Sequence, residues 1–256
     1  MSRRSSVRLL ERGLWLVEAT LDDFDVRGAL VVGRDSCAIF DTLAHPDHMA
    51  PVNRLTKGSW FTAVYSHGDW DHVWGTGGLL RPPHQILAHH DCHQCFETEL
   101  PRQLTNKRVE DDWWNAVSLI PPSHTFGTDH TVELGGPWLD LHHLPGHTED
   151  SVVGWLPEWG VLLAGDAVES PLPFVNEGVA VPRWIEGLKR WSADTHVKTV
   201  IPAHGSIGGR ELIDRNIVYL EGLLEGHDQP PAGPLTNFYQ KTHRANLERV
   251  AATRDV

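Results

Sequence analysis

Ser66-His67-Gly68-Asp69-Trp70-Asp71-His72 carries four side chains able to bind a metal, three at alternate positions and the last as an immediate neighbour. Alternation in an extended loop points His67, Asp69 and Asp71 to one side, while His72 turns the other way. One short loop can thereby serve two adjacent ions. Imidazole and carboxylate suit zinc, iron or manganese. Taken alone, a cluster this short also occurs on solvated surfaces, where most carboxylates lie.

The same kind of signal recurs at three later points, each where a short apolar strand runs into a turn. Leu141–Leu144 precedes Pro145-Gly146-His147-Thr148, Val161–Ala164 precedes Gly165-Asp166, and Val200-Ile201 precedes Pro202-Ala203-His204-Gly205. Glycine beside each candidate ligand lets the backbone turn tightly and leaves room for an ion or substrate. Four junctions of one kind argue against coincidence.

Together these motifs resemble the signature of the metallo-β-lactamase superfamily, His-x-His-x-Asp-His followed by Gly-His-Thr, Gly-Asp and Pro-x-His-Gly. The resemblance runs in order from about Leu14 to about Leu224. It implies an α/β fold, a four-layered αββα sandwich with metals held by loops at one edge. Residue by residue, it implies a first metal on His67, Asp69 and His147, a second on Asp71, His72 and His204, and Asp166 bridging both. The implied cofactors are two divalent metal ions, zinc foremost.

Asp69 departs from the commonest pattern, which has histidine there. A carboxylate is still a ligand, but it adds negative charge and hardens the first site, shifting preference towards iron or manganese without excluding zinc. The related flavodiiron proteins, which reduce oxygen or nitric oxide, also place an acidic residue here, in their case glutamate. Given two ions, a bridging water loses its proton near neutral pH and becomes the nucleophile, while the metals polarise the substrate's carbonyl or phosphoryl oxygen. Asp71 is expected to be catalytic as well as ligating, orienting the nucleophile or accepting its proton. The Gly-x-Ser-x-Gly elbow of serine hydrolases is absent from the sequence.

Outward from the motifs, the hydrophobic pattern predicts strands at Leu14–Ala19, Gly28–Val32, Ala38–Phe40, Phe61–Tyr65, Ile86–Ala88, Thr131–Leu134, Leu139–Leu144, Val152–Trp155, Val161–Ala164 and Thr199–Ile201. Helices are expected near 47–56, joined through Lys57-Gly58 to the next strand, near Asp91–Glu99, and over Trp184–Trp191 and Glu211–Glu225. Strands in both halves with helices interspersed fit a layered α/β domain. The pattern is weak between Leu100 and Thr131, which reads as a lid or substrate-facing loop. Pro-Pro-Ala-Gly-Pro at 230–234 sets off a polar helical tail. Residues 1–256 read as one domain, with its core at about 14–224 and the tail at 230–256.

A chain of 256 residues with 40% hydrophobic content can bury a substantial core. Its net charge of −12 disfavours nucleic acid and anionic lipid as partners and leaves a small-molecule substrate. Arg8, Glu11 and Arg12 break the apolar stretch near the N-terminus, so no signal peptide is expected, and nothing approaches the roughly 20 apolar residues of a membrane span. Three cysteines, an odd number, form no disulfide framework and fit a cytoplasmic protein. Eleven tryptophans point to a well-walled interior and an apolar substrate cleft.

Several residues outside the motifs carry weaker signals. Cys92 and Cys95 sit beside His89 and His90, but no second cysteine pair completes a four-thiolate set, so a structural role is expected. Asp41, ending a strand, is expected to support the ligands from behind. His142 and His143 read as supporting or packing residues, and His124 and His130 as surface. Trp70 and Trp74 read as pocket wall or core. Arg183 and Lys189 could receive an anionic group, although a solvated helix face explains them equally well.

The reading that follows is a dinuclear metal-dependent hydrolase of a small-molecule ester, thioester or lactone. Its alternatives are a non-haem iron redox enzyme, which Asp69 motivates, and a metal-binding protein without catalysis.

Overall fold

The computed structural model describes residues 4–21, 23–56 and 60–254; the expected Lys57-Gly58 link lies outside them. The first half of the chain builds a seven-stranded sheet from β1 (Ser5–Glu11), β2 (Leu14–Thr20), β3 (Asp25–Val32), β4 (Ser36–Phe40), β5 (Trp60–Val64), β6 (Gln85–His89) and β7 (His124–Phe126), in that spatial order. Pairing is antiparallel from β1 to β4 and parallel from β4 to β7. Between these strands lie α1 (Ala50–Leu55), the single turn α2 (Trp70–Val73), α3 (Cys92–Glu97) and α4 (Glu99–Glu110).

The second half forms a five-stranded sheet from β8 (Asp129–Glu133), β9 (Trp138–His143), β10 (Val152–Leu156), β11 (Val161–Gly165) and β12 (Thr199–Pro202). Its helices are α5 (Val181–Ala193), α6 (Glu211–Glu225) and α7 (Asn237–Arg254). The central strands of both sheets are apolar on both faces. In β4, Ala38 and Phe40 face the opposite sheet while Cys37 and Ile39 face outward; in β11, Val161 and Leu163 face inward while Leu162 and Ala164 face outward. Period-two alternation therefore distributes apolar residues to two separate cores, and the sequence reads as an unbroken apolar run.

Three apolar layers result. Leu14, Leu16, Phe40, Leu139, Leu141 and Leu163 pack between the sheets. Met49, Val52, Leu100 and Trp114 cover the outer face of the first sheet, and Trp184, Leu188, Leu220 and Val250 that of the second. Helices outside two facing sheets make the four-layered αββα sandwich. No described helix is long and apolar enough to cross a membrane.

Three expectations need correction. β1 escaped the reading because it is a sheet edge with no fully buried position. The weak segment after Leu100 is largely ordered structure: α4, a 3-10 turn at Asp112–Ala116 and β7. Leu100, Leu104 and Trp114 are its only strongly buried apolar side chains over 99–116, too widely spaced to announce an amphipathic helix. The helix in the tail is not merely polar, since Tyr239 and Val250 join the apolar layer under the second sheet.

Candidate metal centre

Each candidate ligand follows the C-terminal end of a strand. His67 and Asp69 come after β5, His147 after β9, Asp166 after β11 and His204 after β12. Asp71 and His72 lie within α2, which begins one residue after Asp69. That helical turn corrects the expected alternation, because Asp71 and His72 project to one side together. Ligand atoms of His67, Asp69 and His147 lie within 4.8 Å of one another, and so do those of Asp71, His72 and His204.

Asp166 stands at the centre. Its Oδ2 is 3.8 Å from His67 Nε2, 3.4 Å from His72 Nε2, 3.7 Å from His147 Nε2 and 3.2 Å from His204 Nε2. Asp69 Oδ2 lies 3.4 Å from His67 Nε2 and 3.3 Å from His147 Nε2. Asp71 lies 3.8 Å from His72 Nε2 and 3.5 Å from His204 Nε2.

The far nitrogen of every histidine is occupied. Ser66 Oγ donates to Asp41 Oδ2 at 2.8 Å, so it accepts from His67 Nδ1 at 2.9 Å. His72 Nδ1 donates to Asp41 Oδ2 at 2.9 Å, His147 Nδ1 to the Phe174 carbonyl at 2.9 Å, and His204 Nδ1 to the Asp25 carbonyl at 2.7 Å. With each Nδ1 held as the donor, Nε2 is the nitrogen that faces inward, and once it has given up its proton it is the one left to bind a metal. Buried His67 Nε2, His72 Nε2 and Asp166 Oδ1 have no hydrogen-bond partner among the described residues. Orphaned acceptors in a buried site are costly, and cations would satisfy them. The residues fit a two-ion centre.

Asp41 takes the position expected of it, accepting from Ser66 N at 2.7 Å as well as from the Ser66 hydroxyl and His72. Its φ of 65°, unusual for a residue with a side chain, is held at the end of β4 beneath the ligand loop. Asp150 Oδ2 accepts from Gly68 N at 2.8 Å and fixes the same loop from another side. Cys95 packs against Gly68, where a Cβ would meet its sulfur at 2.6 Å. Burial pushes the Cys95 thiol up to about 12, and Asp150 and Asp69 add to the shift. No described metal-competent group includes a cysteine.

The charges in the centre shift one another. Burial lowers the His147 and His204 pKa values, but Asp69 and Asp166 beside His147, and Asp166 and Asp71 beside His204, outweigh it and raise them to about 9 and about 10. Asp166 is held well below the usual carboxylate range, despite burial, by His204 and His72. Glu169 escaped the sequence reading. It is buried beside Asp166 and His147, and burial followed by the Asp166 charge raises its pKa. A lone carboxylate in the apolar run Ala167-Val168-Glu169, three residues past Asp166, was the available signal.

The remaining candidates disperse. His142 pairs with Asp129, His143 stacks on His89 at 3.8 Å, and His124 and His130 are exposed. Arg183 pairs with Glu149 and Lys189 with Glu221 on the surface. Trp74 is core, while half-buried Trp70 meets Phe24 edge-on, and Phe24 in turn contacts His204 and Phe238 at 5.2 and 5.0 Å. These aromatics wall one flank.

The sequence matches the family model described as "Metallo-beta-lactamase superfamily" over residues 22–204. A metallo-beta-lactamase type 2 from Bacteroides fragilis is 30% identical over 215 residues, 79% of this chain and 78% of that protein. A linear primary-alkylsulfatase from a Pseudomonas species is 23% identical over 75% of this chain and 39% of its own length. Among solved structures, a metallo-beta-lactamase family protein from Thermus thermophilus superposes with a TM-score of 0.70 at 18% identity, covering 95% of this chain and 92% of that one. The match spans the whole series of candidate ligands from His67 to His204, and with it the chain belongs to the metallo-β-lactamase superfamily and is a metal-dependent hydrolase.

Proposed function

We propose that the chain is a dinuclear hydrolase of a small-molecule ester, thioester or lactone, with His67, Asp69 and His147 on one ion, Asp71, His72 and His204 on the other, and Asp166 between them. The observation that carries this reading is the convergence of four Nε2 atoms on Asp166, each histidine pinned at Nδ1. Two divalent ions held there would supply an activated water and polarise the substrate oxygen. Asp71, beside His204, is the residue placed to accept a proton as the nucleophile forms. Phe24, Trp70 and Phe238 favour an apolar group on the substrate. Three free thiols support a reducing, cytoplasmic setting.

Elemental analysis of the purified protein beside Asp71→Ala tests the proposal. About two zinc or manganese ions per chain, reduced in the variant, would support it. A hydrolysis panel of esters, thioesters and lactones then follows, with a β-lactam and a linear primary alkyl sulfate included because relatives bear those names. A protein that takes up no metal would overturn the reading.

A second reading, non-haem iron redox chemistry, draws on Asp69 and the extra buried carboxylate of Glu169. Iron in the purified protein with reductant-dependent oxygen uptake would favour it, whereas tight zinc without uptake would end it. Asp69→His is expected to keep the fold and move metal preference towards zinc when zinc, iron and manganese are supplied together. Unchanged metal content would show that Asp69 is not a ligand.

A further inference from the structure

Between β11 and α5 the chain crosses residues 171–176 as a strap without helix or strand. This strap holds His147. Its Phe174 carbonyl accepts from His147 Nδ1 at 2.9 Å, and Asn176 Nδ2 donates to the His147 carbonyl at 2.9 Å. An irregular segment has no ladder to fix its carbonyls, so something else must aim Phe174 O.

Side chains from beyond the strap do this. Asn246, in α7 and fully buried, donates through Nδ2 to the Pro173 carbonyl at 2.7 Å and accepts through Oδ1 from Val175 N at 2.9 Å. The two bonds grip the backbone on either side of Phe174. The second Nδ2 hydrogen goes to Tyr219 Oη at 3.1 Å, so both donors and the acceptor of the amide are used. Arg249, also in α7, donates to the Val175 carbonyl at 2.8 Å, with its guanidinium 4.3 Å from the Phe174 ring centre. Glu169 accepts from Phe174 N at 2.8 Å, and Asn216 of α6 braces the Glu169 backbone through both N–H and carbonyl.

Asparagine is a poor helix former, and a buried helix position needed only for packing is better served by an apolar side chain. We infer that Asn246 is a positioning residue for the metal centre, aiming the His147 imidazole through the strap, so that the C-terminal helix sets metal affinity from outside the motif region. This rests on the reading of His147 as a metal ligand. Partners that orient a ligating histidine typically change metal affinity by about 10–100-fold when removed.

The test compares wild type, His147→Ala, Asn246→Ala and Val250→Ala. Val250 is buried on the same helix in the apolar layer outside the second sheet, so its truncation loosens the docking of α7 while leaving the Asn246 side chain in place. Zinc affinity is read by competition with a chromophoric chelator, ligand geometry by the visible spectrum of the cobalt(II)-loaded protein, and folding by thermal unfolding. Asn246→Ala is expected to weaken zinc binding about tenfold and alter the cobalt bands. Val250→Ala should lower the melting temperature while keeping wild-type affinity and spectrum. Should Asn246→Ala fail to fold, Arg249→Ala replaces it with the same expected direction. Weakened binding in His147→Ala beside wild-type affinity and spectrum in the strap variant would overturn the relay alone. Unchanged binding in His147→Ala would overturn the ligand reading and the relay with it.

Discussion

His147 and His204 show how the centre stores charge before any metal arrives. Both have folded pKa values raised above the ordinary histidine value, to about 9 and about 10. The sign follows: the folded state binds these protons more tightly, so their stabilisation is complete below the unfolded value of about 6.5 and is lost as pH rises through 9 and 10. Metal-free protein is therefore expected to lose stability between pH 6.5 and 10, measured by urea unfolding across that window. A metal held by these two imidazoles, as proposed, would displace the same protons, so affinity should rise with pH over the same range, and calorimetry in buffers of different ionisation enthalpy should show proton release. A flat profile for both would mean the two imidazoles are already neutral. At this scale the seven motif residues were legible because adjacency and flanking glycines mark them. Phe174 and Asp25 act through backbone carbonyls, which carry no residue-type signal, and Asp150 acts through one contact with a backbone N–H.

Among the elements, α4 departs furthest from its expected form. Leu104 in α4 is 4% exposed and packs in the apolar layer beneath the first sheet. Leu104→Ala is expected to cost about 3 kcal/mol in urea unfolding; a loss near zero would restore the reading of the segment as a lid or substrate-facing loop. Pro101 does not break α4, because it falls in the first turn, where its missing N–H has no helical partner to lose. The α2 turn teaches the opposite lesson. Its four residues are too few to show a period, so the loop reads as extended until Asp71 and His72 are seen side by side.

For the whole molecule, the two-sheet layering was legible mainly through the motif order. Strands buried on both faces lose the alternation that would tell one layer from another. The centre also joins the two halves of the chain. His67, Asp69, Asp71 and His72 come from the connection after β5 in the first sheet, and His147, Asp166 and His204 from loops of the second. Removing metal with a chelator should lower the melting temperature, and restoring zinc should raise it by an amount that grows with free zinc concentration. An unchanged melting temperature would mean the ions add nothing to the joint between halves. The arrangement also has a temporal side. A chain emerging from the ribosome displays four of the proposed ligand side chains with the first sheet, but His204 appears only after β12, and Asn246 later still. On the proposed ligand set, metal capture therefore waits until β12 has been made, and full affinity waits until α7 has folded onto the strap.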